Sequence, residues 1–228
     1  MDSKFNVAVV GATGAVGQAL LDILMEREFP INRLFALASH RTVGRIIESG
    51  TMQLEVEDLE YFDFRQVDLA LFSAGGSISA QYAPKAVSAG AIVVDNTSNF
   101  RLDPEVPLIV PEVNLHALKA HRGIIANPNC STMQMVVALK PIYDVAGIAR
   151  INVATYQAVS GAGKRAIEEL SQQTKAILMG EKLIADGTET QIGFNAIPHI
   201  DVFQENGYTK EEMKMVLETQ KSSKIKLF

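Results

Sequence analysis

The start of the sequence carries the feature that most restricts its fold, an apolar strand followed at once by a glycine-rich turn and a helix. The apolar run Asn6–Val10 predicts a buried strand, and a helix is predicted over about Ala15–Arg27. Gly11, Gly14 and Gly17 stand where the backbone must bend tightly and where it can approach a phosphate at the helix N-terminus. The pattern predicts a dinucleotide site in this turn. The alternative is a turn that only packs the helix against the sheet.

Apolar strands and amphipathic helices continue to alternate up to about residue 130. Further strands are predicted at Leu34–Ala38, Val67–Ser73, Ala91–Asp95 and Gly123–Ala126, with helices at Ser79–Ala89 and Asn114–Ala120. Met52–Val56, which alternates apolar and acidic residues, is predicted to be an edge strand. This alternation is typical of a parallel sheet covered by helices on both faces. We therefore predict an α/β fold with a Rossmann-type parallel-sheet domain over residues 1–129.

The pattern changes after Cys130. A helix is predicted over about Thr132–Tyr143, and the alternating run Ile151–Ala158 predicts a strand with one exposed face, as in antiparallel sheets. A long helix is predicted from the glycine turn at residues 160–163 to Ile177, and another over about Lys210–Lys221. A single strand leaves the apolar face of such a domain with too few partners. We therefore predict a second, incomplete α+β domain over residues 130–228.

Charge and composition exclude several kinds of partner. The net charge of −5 argues against nucleic acid or an anionic membrane surface as a partner. No apolar run is long enough to span a bilayer, and the N-terminus enters a strand without a signal peptide, so a soluble, cytoplasmic protein is predicted. One cysteine cannot form an internal disulfide, and the four histidines lack metal-ligand spacing, so no metal site is predicted.

The single cysteine, Cys130, lies between an apolar run and a predicted helix, in the segment Asn127-Pro128-Asn129-Cys130-Ser131. Free N–H groups and the positive end of the helix dipole favour a thiolate at such a position. Asn129 or Ser131 can cap the helix. The position is consistent with a nucleophile and equally with an inert buried cysteine.

The end of the second predicted strand indicates which dinucleotide binds. An NAD site has an acidic residue here to bind the ribose hydroxyls, whereas this sequence has Ser39, Arg41 and Thr42 and no carboxylate. Ser39 and Arg41 can donate hydrogen bonds to a 2′-phosphate. The pattern favours NADP over NAD. The alternative is that Arg41 and Arg45 belong to a solvated loop.

Several longer segments complete a recognisable pattern. They are Asp95-Asn96-Thr97-Ser98-Asn99-Phe100-Arg101, Val110-Pro111-Glu112-Val113-Asn114, the cysteine segment, Tyr156-Gln157-Ala158-Val159-Ser160-Gly161-Ala162-Gly163 and Glu218-Thr219-Gln220-Lys221. In this order and spacing, the chain resembles the aspartate-β-semialdehyde dehydrogenase family from about residue 5 to about residue 221.

The resemblance implies NADP-dependent conversion of L-aspartyl-4-phosphate to L-aspartate 4-semialdehyde, in the biosynthesis of lysine, threonine and methionine. It implies that Cys130 displaces phosphate and forms an acyl-thioester, which hydride then reduces. It also implies a homodimer joined through the second, catalytic and dimerisation domain. For the substrate, the resemblance implies that Gln157 positions the substrate or the thiolate, that Arg101 binds the phosphate with help from Lys221, and that Glu218 binds the ammonium group. It places Asn129 beside the nucleophile. For the cofactor, it implies that Ser160 and Gly161 contact the nicotinamide, and that the pyrophosphate is contacted by Thr13, Gly14, Ala15 and Val16.

Each implied role has a simpler alternative. Arg101 can form a surface ion pair with nearby Asp103, and Gln157 can face solvent. Glu218 and Lys221, three residues apart, can form an ordinary pair on a helix surface.

The sequence also departs from the family pattern. The resemblance implies a general acid/base histidine well downstream of Lys221, preceded by a substrate-binding arginine, and the sequence ends before either. Its last residues, 222–228, depart from the pattern as well. We expect a C-terminally truncated relative with a foldable NADP-binding domain, little or no activity, and an uncertain dimer. The alternative is a non-catalytic NADP-binding remnant or regulatory module.

Overall fold

The computed structural model describes residues 4–181 and 190–223. Most of the atypical tail, residues 224–228, lies outside the described residues. Within those two ranges, no helix combines the length and apolar character needed to cross a bilayer.

A seven-stranded sheet forms the centre of the fold. Its strands are β1 (Phe5–Val10), β2 (Ile31–Ala38), β3 (Ile46–Ser49), β4 (Met52–Asp58), β5 (Leu69–Phe72), β6 (Ile92–Asp95) and β7 (Ile124–Ala126). The strand order is β3-β4-β2-β1-β5-β6-β7, and every neighbouring pair is parallel except β3 and β4. The chain therefore extends from β1 to one side and returns to β5 on the other, which makes the β1–β5 boundary the topological switch point.

Helices cover both faces of the sheet, as the alternating pattern predicts. The helices are α1 (Ala15–Glu26), α2 (Gly76–Ser88), α3 (Pro111–Asn114), α4 (Cys130–Ala146), α5 (Lys164–Met179) and α6 (Lys210–Ser223). On β1, Val7 and Val9 pack with Leu21 of α1, while the alternate residue Ala8 packs in a cluster with Ala83 of α2. Because successive strand residues point to opposite faces, a continuous apolar strand fills two cores.

The edge of the sheet differs from the prediction. Met52–Val56 was expected at the edge, but β4 pairs with β2 on one side and with β3 on the other. The edge strand is β3, a short hairpin partner in which only Ile47 and Ser49 are buried. Four residues with two buried positions give too weak an alternating signal to be recognised in the sequence.

The strand predicted at Ile151–Ala158 is wrong. These residues form no ladder, and Val153 and Tyr156 are 52% and 98% exposed. An alternating run becomes a strand only when a neighbour accepts its backbone hydrogen bonds, and the described part of the chain supplies no such neighbour.

The described residues form two compact units. One contains the residues up to Asn152 together with those from Lys214 onward, and the other is Val153–Met213. Helix α4, which the sequence analysis places in the second domain, belongs to the unit that contains the sheet. The functional division at residues 129/130 stays a prediction.

Candidate functional site

The Cys130 thiol lies at the first residue of α4, four residues after the end of β7. The Asn129 side-chain oxygen accepts hydrogen bonds from the backbone N–H groups of Ser131, at 3.0 Å, and Thr132, at 3.4 Å. Of the two caps that the sequence allows, the structure therefore uses Asn129. Cys130 is exposed, and the first turn of α4 holds no acidic residue. The thiol is therefore accessible and lies at the positive end of a helix.

Replacing Asn129 by alanine is expected to destabilise the fold by about 1 kcal/mol, because two N–H groups at the start of α4 lose their acceptor. Chemical denaturation of the purified chain measures this change. Asn152→Ala is the matched control, since Asn152 is exposed and its side chain accepts a hydrogen bond from the Arg150 side chain at 3.0 Å. Equal losses in the two variants would contradict the capping role.

Three of the predicted site residues meet in one buried network. Glu218, which is 2% exposed, accepts from Arg101 Nη1 at 3.0 Å through Oε1 and from the Asn129 backbone N–H at 2.6 Å through Oε2. Arg101 also donates from Nη2 to the backbone oxygen of Asn96 at 2.9 Å. Arg101 therefore pairs with Glu218, and the alternative of a surface pair with Asp103 is not what forms.

Lys221, one turn after Glu218 on α6, binds the segment 101–106 that begins with Arg101. Its ammonium donates to the backbone oxygens of Arg101, Asp103 and Val106 at 2.8, 2.6 and 2.8 Å. Burial lowers the pKa of Lys221, and the Asp103 carboxylate opposes that change. All three donors of the ammonium are used, so Lys221 holds the 101–106 segment in place. Its implied help in phosphate binding stays a prediction.

Asp95 is a buried residue that the sequence analysis left without a role. It is 0% exposed, and its carboxylate accepts from Ser79 Oγ at 2.8 Å, Thr97 N at 3.0 Å and Thr97 Oγ1 at 2.9 Å. These contacts fix the chain where it leaves β6 toward Arg101. The sequence did contain a signal for this turn. Asp95 ends an apolar strand and is followed two residues later by Thr97, a pattern typical of a turn in which the aspartate side chain accepts backbone hydrogen bonds.

Gln157 belongs to the second unit and is held there from both ends. Its Nε2 donates to Glu211 at 3.2 Å, and its Oε1 accepts from Thr155 at 3.0 Å. Ser160 and Gly161 lie in an exposed 3₁₀ turn just before α5. The implied roles of these three residues stay predictions.

The glycine turn after β1 has the geometry that a pyrophosphate requires. A Cβ atom on Gly11, where φ is +91°, would lie 2.9 Å from the backbone nitrogen of Ala74, and one on Gly17 would lie 2.1 Å from the backbone oxygen of Gly11. Gly14 begins α1 without a side-chain cap, and Ala15 and Val16 are exposed beside it, with Thr13 half-buried. The residues therefore fit a dinucleotide, because uncapped N–H groups face outward and no side chain fills the cradle.

A second glycine turn, Ser73–Gly76, faces the first across the switch point and was missed in the sequence. Gly75 has φ of +96°, and α2 begins at Gly76 without a side-chain cap. The β1–β5 pairing brings Ala74 against Gly11. In the sequence, only the two adjacent glycines after a strand indicated this turn. Its place beside the first glycine turn depends on the strand order, which the sequence does not reveal.

The residues for which the sequence predicts a role in NADP selection follow β2. Ser39 and Arg41 are exposed, and Thr42 donates from Oγ1 to the Ser39 backbone oxygen at 3.3 Å within a 3₁₀ turn. The nearest strand end carries Asp58, opposite Ala38, and its carboxylate accepts from the Glu60 backbone N–H at 3.0 Å. Among residues 4–181 and 190–223, no group of three or more His, Cys, Asp or Glu could hold a metal ion.

Comparison with known proteins identifies the family. Residues 6–121 match the protein family described as "Semialdehyde dehydrogenase, NAD binding domain". Residues 139–226 match the family described as "Semialdehyde dehydrogenase, dimerisation domain". The aspartate-semialdehyde dehydrogenase of Vibrio mimicus is 56% identical over 223 residues, which are 97% of this chain and 71% of that protein. This chain belongs to the aspartate-semialdehyde dehydrogenase family. The predicted resemblance is thus confirmed.

Solved structures confirm the fold of this family member. Aspartate semialdehyde dehydrogenase II from Vibrio cholerae has a TM-score of 0.94 at 57% identity, covering 97% of this chain and 67% of that one. The Legionella pneumophila aspartate-semialdehyde dehydrogenase is 59% identical, and the match covers 97% of this chain and 64% of that protein. The chain therefore spans about two thirds of the length of these relatives.

Proposed function

We propose that this chain carries the thioester chemistry of an aspartate-semialdehyde dehydrogenase, the reductive dephosphorylation of L-aspartyl-4-phosphate to L-aspartate 4-semialdehyde. The products of this step supply lysine, threonine and methionine biosynthesis. The observation that carries the proposal is the exposed Cys130 thiol at the capped N-terminus of α4. A Vibrio cholerae relative, 56% identical, is described as complexed with ASA, which supports a small aldehyde substrate.

The chemistry divides into two steps at Cys130. The thiolate attacks the acyl carbon of the substrate, the bond from that carbon to the phosphate oxygen breaks, and inorganic phosphate leaves. A nicotinamide dinucleotide, when bound, supplies the hydride that reduces the resulting thioester. Breaking the carbon–sulfur bond then releases the semialdehyde and restores the Cys130 thiolate. Gln157 orients the thiolate or the substrate in this proposal.

Arg101 and Glu218 bind the charged ends of the substrate in this proposal. Arg101 Nε is buried and has no hydrogen-bond partner among the described residues, so its N–H is a donor that the network leaves unused. Glu218 receives the substrate ammonium while keeping its place beside Asn129. A guanidinium suits a phosphate because its planar donors match two oxygens at once.

The test is NADPH formation by the purified chain in the reverse direction, given aspartate semialdehyde, NADP and phosphate. Cys130→Ala is expected to lower the rate at least about 10³-fold, because removal of a nucleophile leaves only binding effects. Unchanged activity in this variant would overturn the proposal. A chain that binds NADP but forms no NADPH would instead support the second candidate, a non-catalytic NADP-binding module. The expectation of low activity for this chain by itself stays a prediction until then.

We infer that the preferred dinucleotide is NADP. The exposed Ser39 and Arg41 at the end of β2 support this, and a Candida albicans relative, 28% identical with a TM-score of 0.52, is described as a structure with NADP. Arg41→Ala is expected to weaken NADP binding about tenfold, as for a lost charge-assisted hydrogen bond, and to leave NAD binding nearly unchanged. Titration calorimetry with both dinucleotides measures the two affinities.

Arg45→Ala is the matched control for Arg41, because Arg45 is an exposed arginine on the same loop. Equal losses of NADP affinity in the two variants would show that the loop acts only through its overall charge. An equal loss of NAD and NADP affinity in Arg41→Ala would contradict recognition of the 2′-phosphate.

We infer that the partners are small molecules and a second copy of the chain. The match to a dimerisation domain over residues 139–226 supports a homodimer. Exposed apolar side chains in this range support association as well, among them Tyr156, Leu178 and Met179 at 98%, 74% and 63% exposure. A cytoplasmic location, with neither nucleic acid nor a membrane as partner, stays a prediction.

A further inference from the structure

The Glu218 carboxylate connects α6 directly to the residue before the nucleophile. Its Oε2 accepts the Asn129 backbone N–H at 2.6 Å, across 89 residues of sequence. Its other oxygen accepts from Arg101 Nη1 at 3.0 Å, and the carboxylate is 2% exposed. Because both oxygens are bound and the side chain is buried, the carboxylate has one fixed position. The backbone amide that it holds is the last one before the chain turns into α4.

We propose that Glu218 is a positioning residue for Cys130, and that its ion pair with Arg101 balances the charge at the start of α4. The proposal rests on the proposed function of Cys130 as the nucleophile. Glu218 acts through the Asn129 amide, which sets the direction in which the chain enters α4. This role is additional to any contact that Glu218 makes with substrate, since the Asn129 bond exists in the chain by itself.

The charges of the pair act on the thiolate in opposite senses. The Arg101 guanidinium and the positive end of the helix dipole favour a thiolate at the start of α4, while the Glu218 carboxylate opposes one. As long as the two are paired, their effects largely cancel. The charged residues on the neighbouring elements are Glu218 and Lys221 on α6, Arg101 and Asp103 on the segment after β6, Asp95 at the end of β6, and Glu112 on α3. The first turn of α4 adds no charge.

The experiment is alkylation of the intact chain by iodoacetamide across a range of pH. Cys130 is the only cysteine in the sequence, so the label reports on one thiol. Glu218→Gln is expected to move the midpoint of the alkylation profile about 0.5–1 pH unit lower, because Arg101 is then uncompensated. Arg101→Gln is expected to move it higher by a similar amount, because the carboxylate is then uncompensated. A role in folding alone would not produce shifts of opposite sign.

Glu112→Gln is the matched control, because Glu112 is exposed on α3, which packs beside α4. It is expected to leave the midpoint within about 0.2 pH units of the parent, as for a screened surface charge. No shift in either network variant, shifts of the same sign, or an equal shift in Glu112→Gln would overturn the proposal.

A buried charge without its partner can prevent folding, so a double variant completes the test. Arg101→Met combined with Glu218→Met removes both charges together and is expected to keep the midpoint close to that of the parent. A shift in the double variant as large as in a single one would overturn the charge balance. The parent chain tests the proposed function separately. Alkylation at neutral pH no faster than that of free cysteine would count against an activated nucleophile, whatever the variants show.

Discussion

Replacing Asp95 by alanine is expected to lower the free energy of unfolding by about 4 kcal/mol, since buried donors left without an acceptor each cost about 1–3 kcal/mol. The hydroxyls of Ser79 and Thr97 and the Thr97 backbone N–H all lose their acceptor in this variant. Because Asp95 is fully buried, water cannot replace the carboxylate without opening the turn after β6. The segment that carries Arg101 starts at the same point, so Arg101 is expected to lose its position as well.

Urea denaturation of the two chains measures the Asp95 effect, and Asp68→Ala is the matched control. Asp68 is an exposed aspartate at the opposite end of the sheet and accepts one hydrogen bond, from the Asn6 backbone N–H at 2.7 Å. Its loss is expected to cost about 1 kcal/mol or less. Similar losses for Asp95→Ala and Asp68→Ala would show that the buried donors find other partners.

Gly17→Ala is expected to abolish the glycine turn and with it NADP binding. The new Cβ would lie 2.1 Å from the Gly11 backbone oxygen and 2.8 Å from Ala12 Cα, and both are backbone atoms that cannot rotate away. Either α1 moves off the sheet or the turn opens, at a cost of about 3 kcal/mol or more. Both movements displace the N–H groups that are proposed to hold the pyrophosphate.

Thermal unfolding and NADP titration together check the Gly17 prediction. Gly14→Ala is the graded control, because its Cβ would lie 3.3 Å from the same Gly11 oxygen and needs a shift of only a few tenths of an ångström. We expect Gly14→Ala to fold with a small loss of stability. A Gly17→Ala chain that binds NADP as well as the parent does would contradict the geometry of the turn.

The sequence predicted the sheet domain well because each of its signals is local. The continuous apolar run of β1, the glycines after it and the helix that follows lie within about two dozen residues, and periodicity alone identifies them. Residues 151–158 carry an equally clear alternation, yet they form no strand. The difference lies in the neighbours, since β1 pairs with both β2 and β5 whereas residues 151–158 pair with no strand among the described residues. Pairing is not a property of the run itself.

The site was predictable only in part, for the same reason. Its residue types could be recognised along the sequence, which limited the cap of α4 to Asn129 or Ser131. The partners could not be recognised. The ion-pair partners expected as alternatives for Arg101 and Glu218 were close in sequence. In the structure the two residues pair with each other across 117 residues. Only the fold of the sheet and the return of α6 bring such groups together.

That return of α6 has a consequence for synthesis of the chain on the ribosome. The backbone oxygen of Val106 accepts from Lys221, which is synthesised 115 residues later. At a synthesis rate of about 5–20 residues per second, that interval lasts roughly 6–23 s. During it the sheet can form, but the segment after β6 has no ammonium to bind and the Arg101 guanidinium has no carboxylate. A nascent chain is therefore expected to pass through a stage in which its sheet is folded and the Asn129–Cys130 segment still lacks its hydrogen bond from α6.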